Sequence, residues 1–393
     1  MIVVAGKNNI AVHALESLNR KVGGANIVVL PNSNDSGYDS WQRSLVKKAR
    51  DLDVRTATFD QIKDDKSIEC FISLEYDKII DPSRLPENKV FNIHFSDLPS
   101  YKGMYTSYWP IFNYDSTSGV TLHKIDRGID TGAIIGKRTF SINENDRAID
   151  LYGKYISNAI NVFDAHIDSL LAGDPASYPQ TSVGSTYFSK NSVNYVAPII
   201  DLKVTAWQLR RQIYAYSFRP YQLPIIHGQT AVEVEITDQQ SFLKPGSVVH
   251  EGDGFIILST IDFDVIVYFD NLNDFLSKIS TISLQDFKKG LNNIAGVNDK
   301  NNIGWSPLIV AVYYGRQDLV SYLLGVGANI NDTNYKGTSV LMYAKDYCLR
   351  SRDLTLLEYL IKSGADANVK DYSGNRMVDY LSAEEFDFIE FCL

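Results

Sequence analysis

"KVFNIHFSDLPSYKG", residues 89–103, reads as a strand that runs into a turn. Side chains alternate along a buried strand, so Asn92 and His94 point the same way. The Pro-Ser-Tyr-Lys-Gly that follows marks the strand's carboxyl end, the edge of an open α/β sheet at which ligands bind. Whether such a sheet exists depends on the residues around it. From residue 1 to about 175, the apolar runs "MIVVA", "ANIVVL", "ECFISL" and "GVTLHKI" alternate with the amphipathic stretches "IAVHALESLNRK" and "SWQRSLVKKARDL". That alternation predicts a twisted, mainly parallel α/β sheet. "AIDLYGKYISNAINVFDAHIDSLLAG" closes the region as a long helix ending on Gly173.

The texture changes from about residue 200. "TAVEVEI", "GSVVHE", "GFIILST" and "FDVIVYF" are short runs separated by Gly, Pro and Asp, which predicts a small antiparallel barrel or sheet. The end of the chain repeats itself. "IGWSPLIVAVYYGRQDLVSYLLGVGANIN", from residue 303, recurs from residue 336 as "KGTSVLMYA" and "LTLLEYLIKSGADAN", with a short insertion near "DYCLRSR". A third copy starts at "YSGNRMVDYL", and "LNNIAGVND" matches the tail of a preceding unit. The spacing from Gly304 to Gly337 is one ankyrin period of ~33 residues, and the turn signatures resemble ankyrin repeats. Three domains are expected: residues 1–185, a β-rich middle at 186–275, and an all-α repeat domain at 276–393.

With 393 residues, two or three domains suit the length. No apolar run approaches the ~20 residues of a membrane span. "MIVVAG" reads straight into a strand with no export signal before it, and a cytoplasmic protein is expected. Cys70, Cys348 and Cys392 are too scattered for a disulfide framework or a metal knuckle. The six histidines are dispersed, with none at metal-ligand spacing, so no metal is expected. A net charge of -9 without a basic cluster argues against a nucleic-acid partner.

An amide beside an imidazole suits acyl transfer. Asn92 can donate to a carbonyl oxygen as negative charge builds on it, and His94 can take a proton from an attacking amine. An acid is then needed to orient the imidazole. "GVTLHKIDRGIDTG", residues 119–132, offers Asp130 between Gly128 and Gly132, where backbone can approach closely. Taken together, Asn92, His94, "LPSYKG", "GVTLHKIDRGIDTGAII" and the later "KPGSVV" resemble the formyltransferases that use N10-formyltetrahydrofolate, over roughly residues 1–270. The resemblance implies a Rossmann-like core, with Asn92 as oxyanion donor, His94 as base and Asp130 as the acid that holds His94 and its water. It implies a folate pocket along the backbone of "YDKII", with Lys78 and Ile80, and along the loop holding Asp126 and Gly128; Tyr101 and Gly103 belong to the same set. "VVAGKNNIAVHAL" carries one glycine, so it is neither a dinucleotide fingerprint nor a P-loop. Asn8 and Asn9 at the helix start can still meet a phosphate or a sugar.

Three branches of the family differ in the amine that receives the formyl group. A tRNA substrate calls for a basic face, which this acidic chain lacks. "QIYAYSFRPYQLPII", residues 212–226, is similar to the sugar-nucleotide branch, in which Tyr221 would stack on a pyrimidine and Arg219 would meet a phosphate. The competing reading makes Tyr214, Tyr216, Phe218 and Tyr221 core aromatics. The resemblance implies formyl transfer to a dTDP-linked 3-amino-3,6-dideoxyglucose, for the O-antigen of lipopolysaccharide. The 4-amino isomer and methionyl-tRNA stand as alternatives, and an ankyrin scaffold with an inert core is the alternative of another class. It also implies a homodimer held by the middle β region, which deletion of residues after about 275 should leave intact. Trp305 occupies an outward position of the ankyrin turn that is normally small or polar. With Tyr313 nearby, it is the expected core of a second dTDP-sugar site on the repeats, against burial or a protein partner.

Overall fold

The apolar runs become strands covered on both faces. In the computed structural model, which describes residues 1–390 apart from 88, 174, 292, 293 and 295, they are β1 (Ile2–Gly6), β2 (Ile27–Pro31), β3 (Arg55–Thr56), β4 (Cys70–Leu74) and β5 (Val90–His94). Cys392 and part of "LNNIAGVND" lie outside the described residues. All five residues of β1 and of β4 are buried, as expected of parallel strands sandwiched between helices. After β6 (Lys102–Gly103), the chain makes the hairpin β7 (Thr117–Lys124) and β8 (Ile134–Ser141). The sheet order is β3-β2-β1-β4-β5-β7-β8, parallel through β5 and antiparallel beyond it. Lys137 and Arg138 occupy the outer strand β8, whose charged, exposed residues discourage further pairing.

Strand order reverses between β1 and β4, which makes their carboxyl ends a topological switch point. The covering helices are α1 (Asn8–Val22), α2 (Leu45–Asp51), α3 (Phe59–Ile62), α4 (Trp109–Phe112) and α5 (Ala148–Ala172). "SWQRSLVKKARDL" yields a helix only from Leu45. Asp35 accepts from the Ser44 hydroxyl and from the Leu45 and Val46 N–H groups, and Ser44 caps the Lys47 N–H. The helix is thereby started late. α5 stops where expected, with Gly173 left-handed at φ 92°.

The chain forms two units, residues 1–199 with 214–218, and residues 200–213 with 219–393. The first unit extends past the expected break at 185, because β9 (Tyr187–Phe188) pairs with β6. Helix α6 (Ala206–Tyr216) contributes to both. In the second unit β10 (Ile225–Ile226), β11 (Gln229–Ile236), β12 (Val248–Gly252), β13 (Phe255–Leu258) and β14 (Val265–Phe269) form an antiparallel sheet, ordered β10-β11-β14-β13-β12. The expected break at 275 falls inside α7 (Leu272–Lys278). Leu272, Phe275 and Leu276 of this helix are buried in one core with the repeats, so the helical part begins at α7.

The repeats follow as α8 (Leu284–Leu291), α9 (Pro307–Tyr313), α10 (Gln317–Gly325), α11 (Val340–Ser351), α12 (Thr355–Lys362) and α13 (Ala383–Ile389). Each turn is built alike. The Oδ1 of Asn301, Asn334 and Asp371 accepts two backbone N–H groups, and Gly304, Gly337 and Gly374 take φ near 80°. The insertion near "DYCLRSR" appears as the longer helix α11.

Candidate active site

Asn92 and His94 stand at the end of β5, and the antiparallel register sets Asn92 opposite His123 and His94 opposite Thr121 on β7. Asn92 Nδ2 donates to His123 Nε2 at 3.1 Å and, more weakly, to Asp130 Oδ1 at 3.4 Å. His123 Nδ1 lies 2.8 Å from the Lys124 carbonyl, which holds its proton there and leaves Nε2 as the acceptor. His94 Nε2 lies 2.8 Å from the Tyr101 carbonyl, and its Nδ1 is 3.6 Å from Asp130 Oδ2. A neutral His94 therefore carries its lone pair on Nδ1, facing the carboxylate.

Asp130 is the hub. Oδ2 accepts the Gly103 N–H at 2.9 Å, and Oδ1 lies 3.5 Å from His123 Nε2. Burial alone would raise its carboxyl pKa; the charge that His94 and His123 carry when protonated, with the Gly103 N–H, overcomes that and holds it well below the usual carboxylate range. Close backbone approach makes this possible. A Cβ on Gly132 would stand 1.8 Å from the Lys124 carbonyl oxygen, and one on Gly103 would stand 2.2 Å from that of Phe188. Gln180 clamps the loop by donating from Nε2 to the carbonyls of Asp130 (2.9 Å) and Gly132 (2.8 Å). Its Oε1 is buried without a partner among the described residues. Asn8, Glu75, Tyr101 and Asp130 all take φ between 53° and 62°, a left-handed backbone that non-glycine residues adopt at a cost and that gathers at functional sites.

Other expected residues fare differently. Asp126 closes its own turn, accepting from the Gly128 N–H and the Thr131 hydroxyl. Lys78 is exposed, while Ile80 turns its side chain into the core beneath the sheet, leaving backbone as what that segment offers. Tyr101 supplies its carbonyl to His94, and its hydroxyl donates to Asp115. Asn9 Oδ1 accepts the Arg43 N–H, and Asn8 Nδ2 donates to Glu75 and to the Tyr152 hydroxyl. Tyr214, Tyr216 and Phe218 are core residues, whereas Tyr221 is 55% exposed. Arg219, expected at a phosphate, is instead largely buried between Asp270 (2.5 Å) and Asp299 (3.4 Å). A phosphate would have to compete with both carboxylates. Trp305, expected to project into water, is half-buried against the repeat core, with Nε1 donating to the Tyr343 hydroxyl at 3.1 Å. Part of the aromatic surface is covered by its own repeats, which lowers the cost of an indole at this position.

Sequence reasoning missed His123, Glu75, Tyr152 and Gln180 as parts of the site. His123 had a signal, since it sits in the "GVTLHKID" strand whose antiparallel pairing brings it to Asn92. Among the described residues no group of three His, Cys, Asp or Glu side chains is arranged to hold a metal ion, and no helix is long and apolar enough to cross a membrane.

Residues 2–164 match the Formyl transferase family, and residues 282–371 match Ankyrin repeats (3 copies). The solved sugar 3N-formyl transferase WlaRD, determined with dTDP and 5-N-formyl-THF, is 41% identical; the match covers 69% of this chain and 97% of that one, with a TM-score of 0.63. The N-formyltransferase from Helicobacter canadensis, in complex with folinic acid and dTDP-3-aminofucose, is 37% identical, over 68% of this chain and 99% of that one, with a TM-score of 0.63. Among curated proteins, the GDP-perosamine N-formyltransferase of Brucella melitensis biotype 1 is 32% identical over 156 residues, 39% of this chain. The chain spans 58% of the length of that relative. With the folded core, the converging side chains and a relative matched over almost its whole length, the chain belongs to the formyl transferase family.

Proposed function

We propose that the protein transfers a formyl group from N10-formyltetrahydrofolate to the amino group of a dTDP-linked 3-amino-3,6-dideoxyhexose, dTDP-3-amino-3,6-dideoxyglucose, in the cytoplasm for O-antigen synthesis. The observation that carries this reading is the convergence of Asn92, His94 and Asp130 at the end of β5. The solved relatives hold dTDP with a formyl-folate, or folinic acid with a dTDP-3-amino sugar, which favours the 3-amino substrate over the 4-amino isomer.

The folate supplies the formyl carbon. The residues present suit it: the backbone of residues 76–80, the loop at 126–130, and the unpartnered Gln180 Oε1 beside that loop offer polar edges for a pterin. As the amine attacks, negative charge builds on the formyl oxygen. The Asn92 hydrogen at the long 3.4 Å contact to Asp130 is the one free to swing to that oxygen, while the bond to His123 keeps the amide in place. His94 accepts the amine proton at Nδ1, and the ionised Asp130 opposite stabilises the resulting imidazolium. Tetrahydrofolate release with 3-amino and 4-amino dTDP-sugars in parallel tests the substrate; faster release with the 4-amino sugar would overturn the choice, and release with neither would overturn the reaction.

The proposal includes a homodimer through the middle sheet. What supports it is exposed apolar surface there: Ile225, Phe242, Ile261 and Phe263 are all more than 40% exposed. Ile225→Asp with Phe242→Asp in the full chain should give a monomer by light scattering; an unchanged dimer would put the contact elsewhere.

It also includes a second dTDP-sugar site on the repeats. Trp305 lies 5.9 Å from Tyr313 at 31°, and the Arg350 guanidinium carbon sits 4.5 Å over the Tyr313 ring. Flat rings beside a cation suit a base and a diphosphate. Trp305→Ala should reduce two equilibrium binding sites to one. A single site of equal affinity in both proteins would remove the idea.

A further inference from the structure

Glu75 is a carboxylate that the transfer steps above do not use, and its surroundings are built around it. It follows β4 directly, at the switch point between β1 and β4. Asn8 reaches it from the start of α1, and Tyr152 from α5, donating its hydroxyl at 2.6 Å. Tyr152 in turn accepts from Asn8 at 2.6 Å and from Gln42 at 2.8 Å, and its ring is packed by Trp41, Phe95 and Phe218. Both donors to the carboxylate address one oxygen, Oε2. Oε1 has no hydrogen-bond partner among the described residues. The backbone carbonyl is tied as well, accepting from Asn32 Nδ2 at 2.9 Å. The carboxylate is thus held through Oε2, with Oε1 left over, at the edge where ligands of such sheets bind. His94 stands beside it, since β4 and β5 pair in parallel with Leu74 next to Ile93, and Glu75 and His94 are the residues that follow.

We propose that Glu75 is the amine-binding carboxylate of the sugar subsite, holding the incoming ammonium group at Oε1 and taking the first of the two protons it must lose. The inference rests on the transfer reaction proposed for Asn92, His94 and Asp130. A sugar amine flanked by hydroxyl-bearing carbons titrates near the ~8 of an α-amino group, so at neutral pH it arrives mostly as the ammonium, which has no lone pair to attack with. Glu75 takes one proton and frees the lone pair. The lone pair forms the new C–N bond, and the nitrogen, now positive, gives its second proton to His94 Nδ1. The old bond from the formyl carbon to N10 breaks with its electrons on N10, which receives the proton from His94. The proton on Glu75 passes to water, so one proton is released per turnover.

The environment matches that task. Burial pushes the Glu75 carboxyl up, against the opposing pull of Lys7 before α1, the hydrogen bonds from Tyr152 and Asn8, and His94 on β5. A carboxyl raised in this way is a better proton acceptor than an exposed one.

Glu75→Gln keeps the shape and the hydrogen-bonding reach but removes the base. The raised folded pKa means that the carboxylate costs stability as pH rises above its unfolded value of ~4.3, so the variant should melt no lower than wild type at pH 7–8, which reports an intact fold. At pH 7 its kcat/KM should fall about tenfold, because an amine titrating near ~8 is only about one-tenth neutral there. Only the amine already neutral in solution would then react, so the deficit should shrink about tenfold per pH unit up to the amine's pKa. Full activity at pH 7, or a loss of equal size at every pH, would overturn the inference. Calorimetric binding of the dTDP-3-amino sugar and its 3-hydroxy counterpart separates this from failure of the transfer reaction itself. Wild type should prefer the amine and Glu75→Gln should lose the preference, whether or not formyl is transferred. An amine preference kept by the variant would overturn the role of Glu75.

Discussion

His94→Ala should lower the rate of tetrahydrofolate release by ~10²–10⁴-fold, the range for loss of a positioned general base. Asn92→Ala should cost ~10²–10³-fold, as for other donors to a developing oxyanion. The structure explains why the losses should not add. Asp130 faces Asn92 and His123 with one oxygen and His94 and Gly103 with the other, so each substitution loosens the remaining partners. The double variant should be little worse than His94→Ala alone; a product of the two single effects would show that they act independently, and near-normal turnover by His94→Ala would remove the mechanism. Acid behaviour adds a check. The depressed Asp130 carboxyl contributes stability that is complete above its unfolded value of ~3.9 and is lost as pH falls toward the folded value. Asp130→Asn should therefore destabilise the protein at neutral pH, with the difference from wild type closing in strong acid.

Arg219→Ala should destabilise the second unit by about 3 kcal/mol, the lower end for breaking a buried pair, because both carboxylates keep some contact with water. The guanidinium joins Asp270, at the end of the middle sheet, to Asp299, which precedes the first described ankyrin turn. Its loss leaves two acids facing each other without the charge that reconciles them. Urea unfolding checks the size of the effect, and Asp270→Asn with Arg219→Ala should recover part of it. If Arg219 instead serves a phosphate, Arg219→Ala would weaken dTDP-sugar binding and leave the unfolding midpoint unchanged.

The sequence alone determined what depends on short-range pattern. Continuous apolar runs such as "MIVVA" and "ECFISL" have one stable home, a parallel sheet covered on both sides, and β1 and β4 take it. The ankyrin turns were legible for the same reason, because Gly304 and Gly337 repeat a backbone conformation that few other residues adopt. The order of Asn92, His94 and Asp130 along the chain was also legible, since strand alternation and a glycine-flanked loop are local features. Partnership between distant residues was not. Nothing local sets Glu75 against Asn8, 67 positions earlier, and Tyr152, 77 positions later; only the crossing of β1, β4 and α5 does so. Arg219 read as a phosphate ligand through the likeness of "QIYAYSFRPYQLPII" to the sugar-nucleotide branch, and only tertiary packing brought two carboxylates to it. The same holds for Trp305, whose position in the turn pattern faces water until Tyr343, on the next repeat, supplies a partner for its N–H. Periodicity is an average over neighbours in sequence, whereas hydrogen bonds and charges are settled pair by pair in space.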